Sequence, residues 1–289
     1  VQTCALPILK ICVSSYSFHK YTTEGKLDQL TLMDKAKELG FEGVEFSYDK
    51  ASIEQNVPKI VERSRDLNLP VVCYLTGADF VNRDFEKEVA RLHEEVDIAA
   101  ALGVKLMRHD TTYSFPKGMT FDDILPIIAE GCRRVTEYAQ TKGVRTMVEN
   151  HGLMVQDSAR VTALYHAVNH ENFSLLTDMG NFMCADENSA IALGNALPYA
   201  AHVHAKDFLF KSGDGENPGE GFFGTRAGNY LRGAIIGQGV VPVKQCLRLL
   251  KRANYDGWIS LEFEGMEDCI TGCRVGLDNL RRMCNEVGL

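Results

Sequence analysis

The sequence lacks the features that place a protein in or across a membrane. No apolar run approaches the ~20 residues that a membrane-spanning helix needs. The opening segment VQTCALPILK has no basic stretch, long apolar core or small-residue cleavage site, as a signal peptide would, and it lacks an initiating methionine. We therefore interpret residues 1–8 as a non-native or disordered segment, and we expect no membrane partner.

Excess positive charge is also missing. The chain has 31 Lys and Arg against 39 Asp and Glu, which gives a formal net charge of −8. A protein that owes its affinity to neutralising many phosphates needs the opposite balance, so nucleic acid is not an expected partner. We expect a small-molecule partner instead, with a homo-oligomer or a second subunit left open.

Closely paired cysteines are absent as well. None of the nine cysteines forms a Cys-x-x-Cys pair, and several lie inside apolar strand-like or helix-like runs. Free cysteine often behaves as a small buried apolar residue, and thiols that stay reduced are typical of the cytoplasm. The cysteines therefore predict a cytoplasmic protein.

What the sequence does contain is a regular alternation of strand-like and helical runs. With 45% hydrophobic residues, the 289-residue chain can bury a large core. Eight strand-like runs alternating with helices predict an α/β protein, a single-domain (β/α)8 TIM barrel over residues 9–289. No glycine-rich fingerprint follows the first strand, which argues against a dinucleotide-binding sheet. The predicted strands are residues 10–18, 43–48, 70–77, 104–110, 145–151, 173–182, 200–208 and 258–265.

The last four predicted strands point acidic or imidazole groups to one face near their carboxyl ends, where barrel active sites lie. These residues are Glu149, Asp178, His204 and Glu262. Three carboxylates in one barrel mouth are costly unless a cation or protons neutralise them. We therefore predict that the four residues bind one divalent metal ion, Mn²⁺ in the first place, with Mg²⁺, Co²⁺ or Zn²⁺ as alternatives.

Four motifs around these residues resemble the xylose isomerase-like TIM barrel superfamily, in particular its sugar phosphate isomerase/epimerase family. They are VENHG (148–152), TDMGN (177–181), HVHAKD (202–207) and GWISLEFEG (257–265), and the resemblance covers almost the whole chain. The resemblance implies the same four metal ligands. It also implies that Glu149 and Glu262 are the catalytic acid and base, because the ketose 3-epimerases of this superfamily use two metal-bound glutamates in that way.

Two positions depart from the pattern of those epimerases. Asn181 stands where they have a substrate-binding histidine, and Phe210 replaces an arginine. The resemblance is closer to members that share ENHG and HVHAKD. Those members include keto-inositol dehydratase-like and C-glycoside-cleaving relatives.

Two residues near the predicted ligands have two interpretations each, and a third residue has one. His151 is a candidate catalytic base or substrate ligand, since it shares the face of Glu149; otherwise it is a hydrogen-bonding or loop-capping residue. Lys206 is a candidate to stabilise an enolate or bind an anion, or else it forms an ion pair with a carboxylate such as Glu264. His202 lies deeper on its strand, and we interpret it as structural.

Further substrate contacts are expected from other strands and from one long loop. The residues predicted to bind substrate, besides Lys206, are Glu45, Arg108, His109, Asn181 and Arg232, although the register of strand four is ambiguous. Residues 208–239 are rich in glycine and far longer than a usual 2–6-residue connection. We interpret them as a lid or substrate clamp, with a surface excursion or an oligomer contact as the alternative.

These observations predict a metal-dependent sugar isomerase or epimerase that acts on a keto-sugar through an enediolate. A lyase is the second hypothesis, either a keto-inositol-type dehydratase or an enzyme that cleaves a 3-keto C-glycoside. A non-catalytic sugar-binding barrel is a third. A DNA-repair endonuclease is disfavoured by the acidic charge and by the absence of extra histidine ligands.

Overall fold

The computed structural model describes residues 9–47 and 50–289. The N-terminal segment 1–8 lies outside the described residues, so our interpretation of it stays a prediction. In the part of the chain that is described, no helix is both long enough and apolar enough to cross a membrane. The cytoplasmic location stays a prediction.

Eight parallel strands close into a barrel, as predicted. Neighbouring strands follow the order β1, β11, β7, β6, β5, β4, β3, β2 and back to β1. The barrel strands are β1 (Lys10–Ser14), β2 (Gly43–Ser47), β3 (Val71–Thr76), β4 (Leu106–His109), β5 (Arg145–Glu149), β6 (Phe173–Asp178), β7 (Ala200–Ala205) and β11 (Trp258–Leu261). The (β/α)8 fold is therefore confirmed, and the carboxyl ends of all eight strands meet at one mouth.

Helices surround the barrel, and three of them end at glycines that lie in the left-handed region. Gly40 follows α2 with φ 94°, Gly103 follows α4 with φ 77° and Gly288 follows α9 with φ 75°, a conformation that favours glycine. The α-helices are α1 (His19–Thr23), α2 (Gln29–Leu39), α3 (Lys50–Leu67), α4 (Phe85–Leu102), α5 (Phe121–Thr141), α6 (Ser158–Val168), α7 (Ser189–Ala196), α8 (Val243–Arg252) and α9 (Cys269–Val287). Short 3-10 turns cover Ser15–Phe18, Asn181–Ala185 and Leu197–Tyr199.

The predicted seventh strand is in fact two strands that belong to different sheets. After β7 ends at Ala205, β8 (Asp207–Lys211) leaves the barrel and pairs antiparallel with β10 (Tyr230–Ala234), which also pairs with β9 (Phe223–Gly224). The long connection predicted as a loop thus contains a small three-stranded sheet. Its base is held by Asp207, whose carboxylate accepts backbone N–H bonds at 2.8–3.0 Å from four residues, Phe208, Gly237, Gly239 and Val241.

The barrel interior has two layers of different chemistry. A small buried apolar cluster consists of Cys12, Val72, Cys73, Leu75, Met147 and Leu176. A second layer, at the strand ends, contains buried charged residues. The larger apolar core packs between the barrel and the helices. Eight cysteines are described, and all are buried and free of disulfides.

Candidate metal centre

The structure brings together the four residues predicted to bind a metal. Glu149 and Asp178 are the last residues of β5 and β6, His204 lies in β7, and Glu262 directly follows β11. One ligand atom from each lies within 4.8 Å of the others, and all four residues are buried. His204 Nδ1 is 3.1 Å from a Glu262 oxygen and 3.7 Å from an oxygen of each of the other two. The predicted geometry of four converging side chains is present.

The donor set fits a divalent cation. Three carboxylates and one imidazole are ligands that Mn²⁺, Mg²⁺ and related ions accept. Asp178 Oδ2 is buried and makes no hydrogen bond within the described structure, although Lys206 Nζ lies 3.4 Å away. A buried carboxylate oxygen without a hydrogen bond is costly, and coordination of a cation would remove that cost.

Lys206 supplies positive charge at the edge of the cluster. Its Nζ lies 3.0 Å from Glu262, 3.4 Å from Asp178 and 3.4 Å from Glu264. Burial disfavours the charged form of Glu262 and so raises its pKa. The neighbouring Lys206 and His204 outweigh this effect and hold the pKa of the Glu262 carboxyl well below its usual range. Lys206 therefore forms an ion pair with Glu264, which is one of the two roles considered for it from the sequence. It also lines a cavity at the mouth of the barrel.

Glu149 is held by groups from both halves of the barrel. Arg108 Nη2 lies 2.5 Å from its Oε2, and Asn181 Nδ2 donates a 2.9 Å hydrogen bond to its Oε1. Asn181, predicted to bind substrate, also accepts from Lys206 at 3.2 Å. These contacts fix the carboxylate at the mouth of the barrel.

Asp178 is fixed through its own backbone and through a residue that we did not single out. The side-chain oxygen of Asn150 accepts from Asp178 N at 2.7 Å, and its amide donates to Asp178 O at 3.0 Å. Asp178 Oδ1 accepts from the N–H groups of Gly180 and Asn181, which starts the 3-10 turn and ends β6 earlier than predicted. The ENH sequence in VENHG was the available signal for Asn150.

His151 forms a dyad with Asp110. Its Nδ1 lies 3.0 Å from Asp110 Oδ1, while Tyr113 donates a 2.7 Å hydrogen bond to Oδ2 and Arg108 lies 3.1 Å from Oδ1. Burial lowers the pKa of His151, but the charge and the hydrogen bond of Asp110, together with the Glu149 charge, outweigh it, and the net shift of the pKa is upward. With Nδ1 on the carboxylate, Nε2 is the nitrogen left for proton transfer.

A cavity of about 290 Å³ opens above the four predicted ligands. It is lined by Tyr16, Leu75, Arg108, Tyr113, Glu149, His151, Lys206, Glu262 and Glu264. An adjoining cavity of 190 Å³ shares His151 and Lys206 and adds Leu153, Phe208 and Phe223. The sheet that follows β7 therefore contributes two aromatic side chains to the adjoining cavity, and its role as a lid or clamp stays a prediction.

The structure does not bring three other predicted residues to these cavities. His109 is fully buried and packs edge-on against Phe80 on the outer side of the barrel. Arg232 contacts Glu267 at 3.3 Å and does not line either cavity. Glu45 is fully buried, with one oxygen 2.8 Å from His202 Nε2. These positions do not favour direct contact with a substrate in either cavity.

Comparison with known proteins gives a family and several relatives. A family model described as "Xylose isomerase-like TIM barrel" matches residues 33–283. YihM of Escherichia coli (strain K12), described only as an uncharacterized protein, is 26% identical over 246 residues, which cover 83% of this chain and 67% of that protein. The inosose dehydratase of Clostridium beijerinckii is 26% identical over 141 residues, 48% of this chain and 46% of the dehydratase. The match thus spans about half the length of that dehydratase.

Solved structures of similar fold include enzymes of two reaction classes. The probable 3-DHS dehydratase AsbF from Bacillus anthracis superposes with a TM-score of 0.73 at 16% identity, covering 96% of this chain and 99% of that one. The 3-keto-D-glucoside 4-epimerase YcjR from E. coli gives 0.71 at 17%, covering 95% and 99%. A xylose isomerase-like protein from Mycobacterium smegmatis in complex with magnesium gives 0.70 at 16%, covering 97% and 98%. At these identities the likeness concerns the fold alone.

Proposed function

The chain belongs to the xylose isomerase-like TIM barrel family, and on that premise we propose that it is a divalent-metal-dependent enzyme that enolises a keto-sugar or a related keto-polyol. The observation that carries the proposal is the position of Glu149 and Glu262, which share one buried cluster and line one cavity. Two carboxylates at one substrate carbon can take and return a proton. Glu149, Asp178, His204 and Glu262 would hold the metal.

The proposed chemistry begins with removal of a proton from a carbon next to a carbonyl. Glu262 takes the proton, the C–H electrons form the C=C bond of the enediolate, and the carbonyl oxygen gains the charge. A divalent ion held by Glu149, Asp178, His204 and Glu262 would supply Lewis-acid stabilisation of the developing negative charge. If Glu149 takes up a proton from solvent and delivers it to the opposite face of the same carbon, the product is an epimer, and Glu262 then releases its proton to solvent. If Glu262 returns its proton to the neighbouring, former carbonyl carbon while the hydroxyl proton of the first carbon passes to the former carbonyl oxygen, the product is an isomer.

Arg108 and Lys206 place fixed positive charge beside the two glutamates, at 2.5 Å and 3.0 Å. Such preorganised charge favours the negative charge that develops on the substrate. Asn181 and Lys206 hydrogen-bond to each other at one side of the cluster. They are positioned to bind substrate hydroxyls.

The His151–Asp110 dyad favours a second candidate function, a dehydratase or other lyase. The first step is the same proton removal. The enolate then expels a β-hydroxyl, which takes a proton from His151 Nε2 and leaves as water, so the product is an unsaturated ketone. The inosose dehydratase and the probable 3-DHS dehydratase among the similar proteins support this alternative.

The test is metal-dependent exchange of substrate protons with solvent. Keto-sugars and keto-polyols are incubated with the Mn²⁺-loaded protein in D₂O, and deuterium is located by NMR. We expect exchange at a carbon next to the carbonyl, and a Glu262→Gln variant that is about 10²–10⁴-fold slower. Unchanged turnover in Glu262→Gln would contradict the proposal. Deuterium in an epimer or isomer supports the first function, and an unsaturated ketone supports the lyase.

A further inference from the structure

Glu45 lies within the barrel next to both histidines of the HVH sequence. Glu45 is fully buried in β2, and the two histidines, His202 and His204, lie in β7. His202 follows Glu45 by 157 residues in the chain. His202 Nε2 donates a 2.8 Å hydrogen bond to Glu45 Oε2. His204 Nε2 lies 2.8 Å from Glu45 Oε1 as a charge contact, outside hydrogen-bond angles. One carboxylate thus spans both rings.

The orientation of the His204 ring follows from this contact. Nε2 faces Glu45, so Nδ1 faces the three carboxylates of the metal cluster, with Glu262 at 3.1 Å. A metal-binding histidine needs a lone pair on the nitrogen nearest the ion and its proton on the other nitrogen. A buried acceptor behind the ring commonly holds that proton and fixes the ring.

We propose that Glu45 is a positioning residue for the metal: its Oε1 attracts the Nε2 edge of the His204 ring at 2.8 Å and so keeps Nδ1 turned toward the ion, while His202 holds the other oxygen of Glu45 in place. The inference rests on the proposed function in one respect, because it requires that the four-residue cluster binds a divalent ion. It gives Glu45 a task other than the substrate contact predicted from the sequence, and it explains why the strand carries two histidines.

A second metal ion is the competing explanation for these residues. Cys12, Glu45 and His202 are buried and offer one ligand atom each within 4.8 Å of the others. However, the two oxygens of Glu45 already face two histidine nitrogens at 2.8 Å. A carboxylate engaged in this way is suited to orienting the rings, so we assign this group to support of the first site.

The experiment measures the affinity of the metal-free full chain for Mn²⁺ by calorimetric titration, with the unfolding midpoint recorded in parallel. Glu45→Gln keeps the size of the side chain but leaves one acceptor oxygen for two histidines. We expect it to bind Mn²⁺ about 10–100-fold more weakly than the unaltered chain. The matched control is Glu95→Gln, since Glu95 is also buried and hydrogen-bonds Tyr74 and Thr76 away from the cluster.

The control separates positioning from general stability. Glu95→Gln is expected to lower the unfolding midpoint while its Mn²⁺ affinity stays within about twofold of the unaltered chain, a change too small for a lost metal-orienting contact. His202→Asn is expected to weaken Mn²⁺ binding about tenfold, and the double variant with Glu45→Gln no further than Glu45→Gln alone, because both act through one contact. If Glu45→Gln fails to fold, His202→Asn and its matched control Glu95→Gln carry the test.

Each outcome decides a separate claim. Equal Mn²⁺ affinity in the unaltered chain, Glu45→Gln and His202→Asn would overturn the positioning inference and leave the proposed function standing. An equal loss in Glu95→Gln would also overturn it. No binding by the unaltered chain would overturn both. Two Mn²⁺ ions per chain, one of them lost in Glu45→Gln, would overturn the inference in favour of the second ion.

Discussion

The two halves of the barrel contribute differently to the candidate site. Strands β5, β6, β7 and β11 bring the four predicted metal ligands. The first half brings no member of that set, but it brings charged groups that contact its members: Glu45 from β2 faces His204, and Arg108 from β4 faces Glu149. One half thus supplies the four predicted ligands, and the other supplies charged groups that contact two of them. The comparison shows that a conspicuous group of side chains at strand ends is in contact with buried charges distant in sequence.

The largest effect is expected where the first half pairs with a ligand. In the metal-free chain, Arg108→Met leaves Glu149 without its 2.5 Å cationic partner, and both residues are buried. Breaking a buried pair from one side lowers the free energy of unfolding by about 3–5 kcal/mol. Denaturant titration of the metal-free chain measures this. Arg134→Met, which breaks an exposed pair with Glu86, is the control and should change little. An equally small change in Arg108→Met would contradict the view that the first half of the barrel holds Glu149 in place.

A smaller effect is expected from Asp110, which follows β4 and orients His151 from the second half. Asp110→Asn removes the carboxylate that faces His151 Nδ1 at 3.0 Å. If His151 moves a proton in the reaction, kcat should fall about 100-fold. Steady-state kinetics on a substrate found by deuterium exchange gives the value. Tyr113→Phe removes another hydrogen bond to the same carboxylate and should cost only a few-fold. Equal kcat in Asp110→Asn and the unaltered chain would show that the dyad has no role in turnover.

His109 is expected to make the free energy of unfolding depend on pH by about 2 kcal/mol, although it does not line the candidate site. Burial lowers the pKa of His109 to about 4. Because the unfolded chain takes up this proton below about pH 6.5 and the folded chain does not, stability falls as pH drops from 6.5 toward 4. Between pH 6.5 and 5 this residue contributes about 2 kcal/mol of that fall, at about 1.36 kcal/mol per pH unit. The free energy of unfolding of the His109→Phe variant, measured across this range, should fall by that much less. Parallel pH curves would contradict the assignment.

The smallest effect is expected in the second half, at the contact between the sheet after β7 and the loop after β5. Arg226 donates to Leu153 O and forms a 2.6 Å ion pair with Asp157. Arg226→Met should destabilise the chain by only about 1 kcal/mol, while amide exchange at residues 153–157 becomes faster. Hydrogen exchange read by mass spectrometry locates the change. Slower or unchanged exchange in that loop would show that Arg226 does not hold it.

The features that could be predicted from the sequence are those that depend on the residue pattern along the chain. The barrel follows from the alternation of strands and helices, and the grouping of Glu149, Asp178, His204 and Glu262 follows from their common place at strand ends. The structure brings these four together as predicted. Their role as ligands stays a prediction that the metal experiments test.

Contacts between residues distant in sequence could not be predicted from the pattern of polar and apolar residues. In β4 both Arg108 and His109 are buried, so polarity could not show which one faces the interior. Only the structure places Arg108 at the cavity and His109 against Phe80. The contacts of Glu45 with β7 depend on the closed barrel. In the same way, the chain after β7 is held by Asp207, and three of its four backbone partners, Gly237, Gly239 and Val241, lie 30–34 residues later.

The metal content of the purified protein tests the central claim most directly. The chain is incubated with Mn²⁺, freed of excess ion, and analysed by elemental mass spectrometry beside an Asp178→Asn variant. The account predicts about one tightly held ion per chain, because the ligand set forms a single four-residue cluster, and a clear loss of that ion in the variant. Retention of no ion by the unaltered chain, or equal retention by the variant, would contradict the assignment of the four-residue cluster as a metal centre.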